Sequence, residues 1–138
     1  MSKALNYLGI ARMGGNVELG EDSAKSAVKS GRAKLLLVAS DTSDGAKKRA
    51  EGYVFGYGTE LVTVPFTKQE IADRVGKAIC SMAAITDMGL ACSFAGALAS
   101  EYGEEYGALA AALSEKLERG KALKGAGRKS SGNRRKSV

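Results

Sequence analysis

The residues best suited to chemistry in this sequence stand at positions 20–26, where a turn is followed by the start of a helix. Gly20 can adopt a positive φ without steric cost, and Asp22 or Ser23 can cap the helix that follows. Backbone N–H groups then remain exposed at the first turn of that helix. Such a helix end attracts phosphate, because its N–H groups and its dipole both favour negative charge. The pattern therefore predicts an anion-binding turn.

A basic helix and a buried strand are expected to hold this turn in place. Three helix residues recur at helical spacing and form an apolar stripe, namely Ala24, Ala27 and Val28. The other faces of the helix carry Lys25, Ser26 and Lys29. Gly31 is expected to end the helix, and the apolar run at residues 35–39 predicts a strand that is covered on both faces. On this segment alone, an ordinary helix–turn–strand unit of an α/β domain explains the pattern equally well.

Catalytic residues are harder to find in this chain. Asp41 with Asp44, or either cysteine, would be the candidates, but the sequence identifies no partner for any of them. The chain contains no histidine, which is the usual general base, and its glycine-rich stretches lack the spacing of nucleotide-binding loops. Cys80 and Cys92 have apolar neighbours and no C-x-x-C spacing, so we expect two reduced, partly buried thiols. We therefore predict no enzymatic activity, no cofactor and no metal site.

The net charge of +6 is concentrated near the C-terminal end of the sequence. Residues 119–138 contain eight basic residues and no acidic one, whereas residues 1–118 contain 13 basic and 15 acidic residues. A segment with so little apolar content cannot bury enough surface to fold alone, so we predict a disordered basic tail at residues 119–138. Such tails attract polyanions without sequence preference and lose affinity as salt rises. A solubility tail is the simpler alternative.

The elements that must position these residues follow from alternating helical and strand periods over residues 1–118. Ser2 is expected to cap a first helix, and the spacing of Thr67 and Glu70 predicts a capping box. Strands are expected at residues 17–19, 35–39, 61–65 and 82–85. The order indicates an α/β fold, namely a three-layer α/β/α sandwich with a mixed four-stranded sheet, a C-terminal helix and the flexible basic tail.

The remaining composition suits a globular protein. A chain of 138 residues with 44% hydrophobic content can bury one substantial core, and we expect a single folded domain at residues 1–118. The beginning of the sequence does not resemble a signal peptide, and no apolar run approaches membrane-spanning length. We therefore expect a cytoplasmic protein that does not bind membranes.

Six short pieces of the chain, in this order and spacing, resemble the kink-turn-binding ribosomal-protein superfamily. They are LGIAR at residues 8–12, GED at 20–22, KSGRAKL at 29–35, ASDTS at 39–43, RVGK at 74–77 and AAITDMGLA at 83–91. The superfamily includes large-subunit ribosomal proteins, core proteins of small nucleolar ribonucleoproteins and small bacterial RNA-binding homologues. The bacterial branch is the most similar, and the resemblance covers about two thirds of the chain.

The resemblance implies a noncatalytic domain that binds RNA at a kinked, helix-internal loop through two elements. The first is the turn and helix start at residues 20–26, and the second is the loop before the fourth strand, at residues 77–81. The residues assigned to RNA binding are Gly20, Glu21, Asp22, Ser23, Lys25, Ser26, Lys29, Lys34, Lys77, Ile79, Cys80 and Ser81. In the second loop Ala78, Ile79 and Cys80 would cover an extruded base by apolar contact. Core packing at the entry of a strand explains Ile79 equally well.

This sequence departs from the family at the start of the basic helix. There the family carries an Asn-Glu pair, with a lysine three residues after the Glu, which read the base edges and backbone of sheared G·A pairs. The matching positions here are Asp22, Ser23 and Ser26, which offer a carboxylate and two hydroxyl groups. Lys25 and Lys29 remain able to reach phosphates.

The expected partner is structured RNA, either ribosomal RNA or another kink-turn-like RNA, with ribosome association and a monomeric chain. A protein-interaction module with a nonspecific polyanion-binding tail is the alternative. Glu101, Glu104 and Glu105, with an alanine-rich helix, would offer the partner surface, and the solvation of a helix explains this acidic group equally well. DNA binding through the tail alone is a further alternative.

Overall fold

The computed structural model describes residues 2–77 and 79–131, with side chains described as far as residue 120. These residues form six α-helices, one short 3-10 helix and four strands. In chain order they are α1 (Lys3–Met13), β1 (Val17–Leu19), α2 (Glu21–Lys29), β2 (Leu35–Val38), α3 (Asp44–Val54), β3 (Glu60–Thr63), α4 (Lys68–Val75), β4 (Met82–Ile85), α5 (Met88–Tyr102), the 3-10 helix (Glu104–Tyr106) and α6 (Gly107–Ser131). None of the described helices combines the length and the apolar character needed to cross a membrane.

The four strands form one mixed sheet in the order β1-β4-β2-β3. β4 is antiparallel to both of its neighbours, β1 and β2, whereas β2 and β3 are parallel. The two central strands are buried along their whole length, which is why their sequences are continuous apolar runs. Because β4 runs against β1 and β2, its first residue lies at the same edge of the sheet as their last residues. We call this the Gly20 edge, and the opposite end of the strands, where β2 begins, the Lys34 edge.

Successive sheet residues point to opposite faces and pack into two cores. One core joins α2 and α3 to the sheet and includes Val28, Leu36 and Met82. The other lies under α1, α4 and α5 and includes Leu37 of β2 and Leu113 of α6. Two helical layers therefore cover the two faces of the sheet, and the predicted three-layer sandwich with a mixed four-stranded sheet is confirmed.

Most helix starts are the ones that the sequence predicts. Ser2 caps α1 by accepting a hydrogen bond from the Leu5 N–H at 3.2 Å, and Ser43 caps α3 in the same way. Thr67 and Glu70 form the predicted capping box of α4, in which each side chain accepts from the other residue's backbone N–H. These local patterns fix helix boundaries because each cap satisfies N–H groups that the helix leaves unpaired.

The start of α2 differs from the expectation that Asp22 or Ser23 caps it. The N-cap is Gly20, with φ 93° and ψ 157°, and no described side chain caps the first turn. Glycine enters this region of φ without the strain that a Cβ would add. The Gly20 carbonyl already accepts from the Ala24 N–H at 2.9 Å, so the helix begins directly at the turn. Asp22 and Ser23 therefore lie inside the first turn, where both are exposed.

α6 extends further than the sequence indicates. The disordered basic tail is predicted to begin at residue 119, but the backbone stays helical to Ser131. Leu113 is buried in the core, and Glu115 and Arg119 form an ion pair of 3.2 Å at i, i+4 spacing. A helix anchored in this way propagates through Lys121, Ala122 and Leu123, which favour a helix, and continues across Gly125 and Gly127, which disfavour it. Residues 132–138, the rest of the predicted tail, lie outside the described residues.

Candidate nucleic-acid interface

The two elements predicted to bind RNA meet at the Gly20 edge of the sheet. The Gly20 N–H donates to the Met82 carbonyl at 2.9 Å, where β1 passes into α2 and β4 begins. The Ala39 N–H donates to the Ser81 carbonyl at 2.9 Å, and Thr42 Oγ1 donates to the same carbonyl at 3.3 Å. These bonds hold the loop that precedes β4 between the ends of β1 and β2.

A groove of about 330 Å³ opens at this edge. Its walls include Gly20, Glu21, Arg49, Lys68, Ile79 and Ser81. Residues from the start of α2 and from the loop before β4 therefore line the same space, together with two cations that lie on α3 and α4. This arrangement is the first requirement for a shared binding surface.

Lys77 lies over the turn at Gly20. A Cβ atom on Gly20 would stand 4.0 Å from Lys77 Nζ. Gly76 ends α4 in the left-handed conformation with φ 79°, and the Lys77 N–H donates to the Ala72 carbonyl at 3.0 Å. This reversal of the chain carries the Lys77 ammonium to the uncapped end of α2. The ammonium and the backbone N–H groups of α2 present positive charge together.

Glu21, the first residue of α2, holds Arg49 at the wall of the groove. Arg49 Nε and Nη2 donate to the Glu21 carboxylate at 2.6 and 3.0 Å, and the Tyr53 hydroxyl donates to it at 2.5 Å. The hydrogen bond from Arg49, followed by that from Tyr53, lowers the pKa of Glu21 to about 2. Glu21 in turn raises the pKa of Arg49 and the pKa of Tyr53 by accepting their protons in hydrogen bonds. Glu21 thus stays ionised and orients Arg49.

Lys25 and Lys29 extend the positive charge along α2. Lys25 Nζ lies 5.5 Å from the ring centroid of Tyr53, and Lys29 Nζ lies 5.3 Å from the ring centroid of Tyr57. Both lysines are exposed and are held against aromatic rings that attract cations. The same helix exposes the three positions that depart from the resembled family, Asp22, Ser23 and Ser26. Lys25 and Lys29 therefore form a basic stripe on α2 that follows the acidic Glu21 and Asp22 of its first turn.

Ile79 and Cys80 have different environments in the loop before β4. Ile79 is 58% exposed, so the alternative that it packs in the core is wrong. Cys80 is 2% exposed, and its Sγ lies 3.4 Å from the Met82 carbonyl oxygen. Burial raises the pKa of the Cys80 thiol. Ile79 therefore carries the apolar surface that the groove offers to a ligand, and Ala78 lies outside the described residues.

Lys34 is not part of this groove. Its N–H donates to the Ile85 carbonyl at 2.8 Å, at the start of β2 and the end of β4. The length of β2 therefore separates Lys34 from the turn and the loop, and its assignment to RNA binding stays a prediction. Its side chain instead lines clefts at the Lys34 edge.

Asp41, one of the candidates for catalysis, has a structural role. Asp41 Oδ1 accepts a hydrogen bond from the Lys68 N–H at 2.8 Å, at the start of α4. Cys80 and Cys92 do not form a disulfide with each other; Cys92 is half-buried, as predicted, whereas Cys80 is fully buried. Among the residues that the structure describes, no three or more His, Cys, Asp or Glu side chains are arranged to hold a metal ion.

Arg49 and Tyr53 are residues of this edge that sequence reasoning did not assign to the site. They lie 28 and 32 residues after Glu21, so no local pattern joins them to it. A weak indication does exist. Arg49 and Tyr53 are spaced i, i+4 on α3, and Glu21 and Lys25 have the same spacing on α2. Because residues at this spacing share one helix face, the two side chains of α3 can contact the two of α2 where the helices are neighbours.

The fold and the groove define a class of protein: a small α/β/α domain whose basic groove lies where the first strand passes into the second helix. Solved structures share this fold. A protein with unknown function from Bacillus halodurans superposes with a TM-score of 0.66 at 23% identity, and the match covers 71% of this chain and 98% of that one. The Giardia lamblia 15.5kD RNA binding protein superposes with a TM-score of 0.57 at 18% identity, covering 70% of this chain and 82% of that one.

The sequence comparison adds a bacterial relative. The RNA-binding protein YlxQ of Enterococcus faecium is 29% identical to this chain over 75 residues, which are 54% of this chain and 72% of that protein. No family model matches the chain. The fold that the resemblance implies is confirmed, and the sequence likeness is to a bacterial protein named for RNA binding.

Proposed function

We propose that this protein is a noncatalytic RNA-binding protein that recognises structured, kink-turn-like RNA at the Gly20 edge. One observation carries the proposal: the uncapped first turn of α2, Lys77 Nζ and the exposed Ile79 lie together at one edge. Free N–H groups and a cation bind phosphate, and an exposed apolar side chain provides the nonpolar wall that an unpaired base needs. A kinked RNA presents both of these features close together.

The similar proteins support the proposal of RNA binding. YlxQ of Enterococcus faecium and the 15.5kD protein of Giardia lamblia are both named for RNA binding. By this likeness and by the sequence resemblance, we assign the chain to the ribosomal or ribonucleoprotein-associated RNA-binding proteins of the cytoplasm. In this proposal the protein acts as a monomer, residues 1–118 form the RNA-binding domain, and the basic residues after position 118 add salt-sensitive attraction.

In this proposal, different residues at the Gly20 edge contact the phosphates and the bases of the RNA. Lys77 and the first-turn N–H groups of α2 bind the backbone at the kink, and Arg49 adds a planar cation that Glu21 keeps in position. Ile79 covers an extruded base. Because Ser23 and Ser26 replace the family's base-reading acid and lysine, this chain reads the shape of the kink and its phosphates more than base edges.

A titration with three RNAs tests the proposal. The full chain is titrated at two salt concentrations with a blunt-ended kink-turn RNA, the same RNA with its G·A pairs disrupted, and a plain RNA duplex. The proposal predicts tighter binding of the intact kink turn at both salt concentrations. Equal affinity for all three RNAs, and for duplex DNA, would overturn it in favour of polyanion binding by the basic residues alone.

A pair of lysine variants locates the contact. Lys77→Gln is expected to weaken binding of the kink-turn RNA about tenfold and to reduce the slope of log affinity against log salt by about 0.7 to 0.9. Lys3→Gln removes an exposed lysine from α1, on the other face of the sheet, and is the matched control. If both variants weaken binding equally, the Gly20 edge is not the site.

The alternative of a protein-interaction module is not favoured by the structure of its supposed surface. Glu101 was a member of the acidic group that would meet a partner. Its carboxylate instead accepts hydrogen bonds from the Lys3 and Ala4 N–H groups at the start of α1. An acidic side chain that is engaged inside the fold contributes less to a partner surface.

A further inference from the structure

The Lys34 edge carries two adjoining clefts that the proposed site does not use. The larger cleft, of about 450 Å³, is lined by Lys34, Asp87, Met88 and Lys116 among others. The Asp87 carboxylate accepts a hydrogen bond from the Leu90 N–H at 2.9 Å, at the start of α5. The smaller cleft, of about 230 Å³, is lined by Lys34, Tyr57 and Met88 among others. Since Lys34 and Met88 belong to both, the two clefts form one continuous depression.

Lys34 is the cation of this depression that is available to a ligand. Its side chain is half-buried, and no described residue forms an ion pair or a hydrogen bond with its ammonium. Lys116, on the opposite wall, is already engaged, because its Nζ hydrogen-bonds the Gly58 carbonyl and pairs with Glu60 at 3.0 Å. A half-buried ammonium without a partner loses hydration that a bound anion would replace.

One aromatic side chain lines the smaller cleft, and a second exposed one lies two residues away in the sequence. Tyr57 is exposed and lines the cleft, with Lys29 Nζ 5.3 Å from its ring centroid. Phe55, two residues earlier, is 84% exposed, and the intervening Gly56 turns the chain with φ 82°. Aromatic rings beside cations are the combination that proteins use to stack unpaired nucleobases and to neutralise the adjoining phosphates.

α2 connects this depression to the groove at the Gly20 edge. The helix has nine residues, which corresponds to a length of roughly 13 Å. Lys25 against Tyr53 and Lys29 against Tyr57 are spaced along it, so cations and rings follow one another from one edge of the sheet to the other. A nucleic-acid strand that leaves the groove along α2 meets Lys25 and Lys29, beyond the acidic first turn, before it reaches Tyr57.

We propose that the depression at the Lys34 edge is a second contact for the same RNA, which takes unpaired nucleotides that extend beyond the structured part. In this contact Tyr57 and Phe55 stack bases, and Lys34 binds a phosphate. The inference rests on the proposed function and adds a ligand class, single-stranded RNA, at a site separate from the kink. Because every base has a π-face, this contact is tolerant of sequence.

The test compares RNAs that differ only in a single-stranded extension. The full chain is titrated with a blunt kink-turn RNA and with versions that carry about six unpaired nucleotides at the 5′ or the 3′ end. The measured quantity is the affinity for each extended RNA divided by the affinity for the blunt RNA. This ratio cancels any general effect of a variant on RNA binding. For the unmodified protein, one of the two extensions is expected to raise affinity about fivefold or more.

Four variants assign that gain to residues. Tyr57→Ala and Lys34→Gln are expected to bring the ratio close to one, and Tyr57→Phe to keep the gain because the ring remains. Met13→Ala removes a side chain that is 88% exposed on α1 and is the matched control, with the full gain expected. Thermal melting of each variant verifies folding, and quenching of a fluorescent adenine analogue in the extension reports stacking directly.

The outcomes separate the two proposals. If none of the RNAs binds, the proposed function itself fails. If the blunt RNA binds but neither extension adds affinity, or the gain survives in Tyr57→Ala and Lys34→Gln, the second contact is overturned and the proposed function stands. Absence of quenching in an extension that does raise affinity would also overturn the stacking role.

Discussion

The first turns of α1 and α2 show two opposite treatments of the same structural feature. At α1, Glu101 of α5 places its carboxylate against the helix end and accepts from the Lys3 N–H at 2.9 and 3.0 Å and from the Ala4 N–H at 3.4 Å. Ser2 adds a cap from its own side chain. These bonds lower the pKa of Glu101, with the bond from the Lys3 N–H as the largest cause.

The first turn of α2 contains its own carboxylates, Glu21 and Asp22, but neither of them caps the helix. No described side chain caps the first turn, Gly20 is the N-cap, and the Lys77 ammonium lies over it. A cation beside the positive end of a helix dipole is unfavourable unless an anion lies nearby, and Glu21 and Asp22 in the first turn of α2 offset part of this cost. At α1 a carboxylate from another helix occupies the first N–H groups, whereas at α2 these groups stay open beside the Lys77 ammonium, where we propose that RNA phosphate binds.

Reversing the charge at position 77 should have the largest effect on this contrast. Lys77→Glu would place a carboxylate from another element beside the first turn of α2, as Glu101 does at α1. RNA affinity is expected to fall roughly 100-fold, because a carboxylate then faces phosphate. The stability of the free protein should change by less than about 0.5 kcal/mol, because repulsion from Glu21 and Asp22 opposes the gain from the helix dipole. RNA titration and urea unfolding measure the two effects. An unchanged RNA affinity would show that RNA does not bind at the end of α2.

Replacing the apolar wall at position 79 should have the next largest effect. Ile79→Ser removes the exposed apolar contact and is expected to weaken binding of the kink-turn RNA about fivefold, whereas Ile79→Leu keeps it within about twofold. The same titrations on a plain duplex, which has no extruded base, should show no difference between the two variants. Equal losses on both RNAs would mean that Ile79 does not cover a base.

Removing the charge of Glu21 should have a moderate effect on stability that depends on pH. The folded-state pKa of about 2 lies below the ordinary value of 4.5, so the carboxylate stabilises the fold above pH 4.5 and loses that effect as pH falls toward 2. Glu21→Gln is expected to cost about 1 kcal/mol at pH 7, since solvent screens a surface ion pair. Urea unfolding across this pH range measures it, and a cost that does not shrink in acid would contradict the assignment.

Changing Glu101 should affect stability and leave RNA binding untouched. Glu101→Ala is expected to lower Tm at pH 7 by exposing the N–H groups of α1, with a smaller difference as pH falls below 4.5, because the folded-state pKa is lowered. Glu104→Ala, an exposed neighbour in the 3-10 helix, is the matched control for Tm. Weakened RNA binding by Glu101→Ala would show that the α1 end is not purely structural.

Structural features that depend on local sequence patterns could be predicted from the sequence. The apolar runs at β2 and β4 indicated buried strands, and the spacing of Thr67 and Glu70 indicated a capping box, because each depends on residues a few positions apart. The turn at Gly20 was predicted for the same reason. Its cap was not, because Asp22 and Ser23 suit an N-cap by type, while the carbonyl of Gly20 had already begun the helix.

Features that depend on packing between distant segments could not be predicted. Glu101 reaches Lys3 across 98 residues, and Arg49 reaches Glu21 across 28, so only the assembled layers bring them together. The distance between Lys34 and the turn is a further example. The strand that follows Lys34 runs toward the Gly20 edge, and it therefore places Lys34 at the other end of the sheet.

Binding of RNA at the open first turn of α2 is best tested by a backbone-amide NMR titration of the full chain with the blunt kink-turn RNA. It observes the two helix ends in the same experiment. We expect large chemical-shift changes of the Glu21, Asp22 and Ser23 amides and of the loop before β4, and no change of the Lys3 and Ala4 amides. Shifts confined to residues after position 118, or equal shifts at both helix ends, would contradict the claim that α2 is held open for RNA.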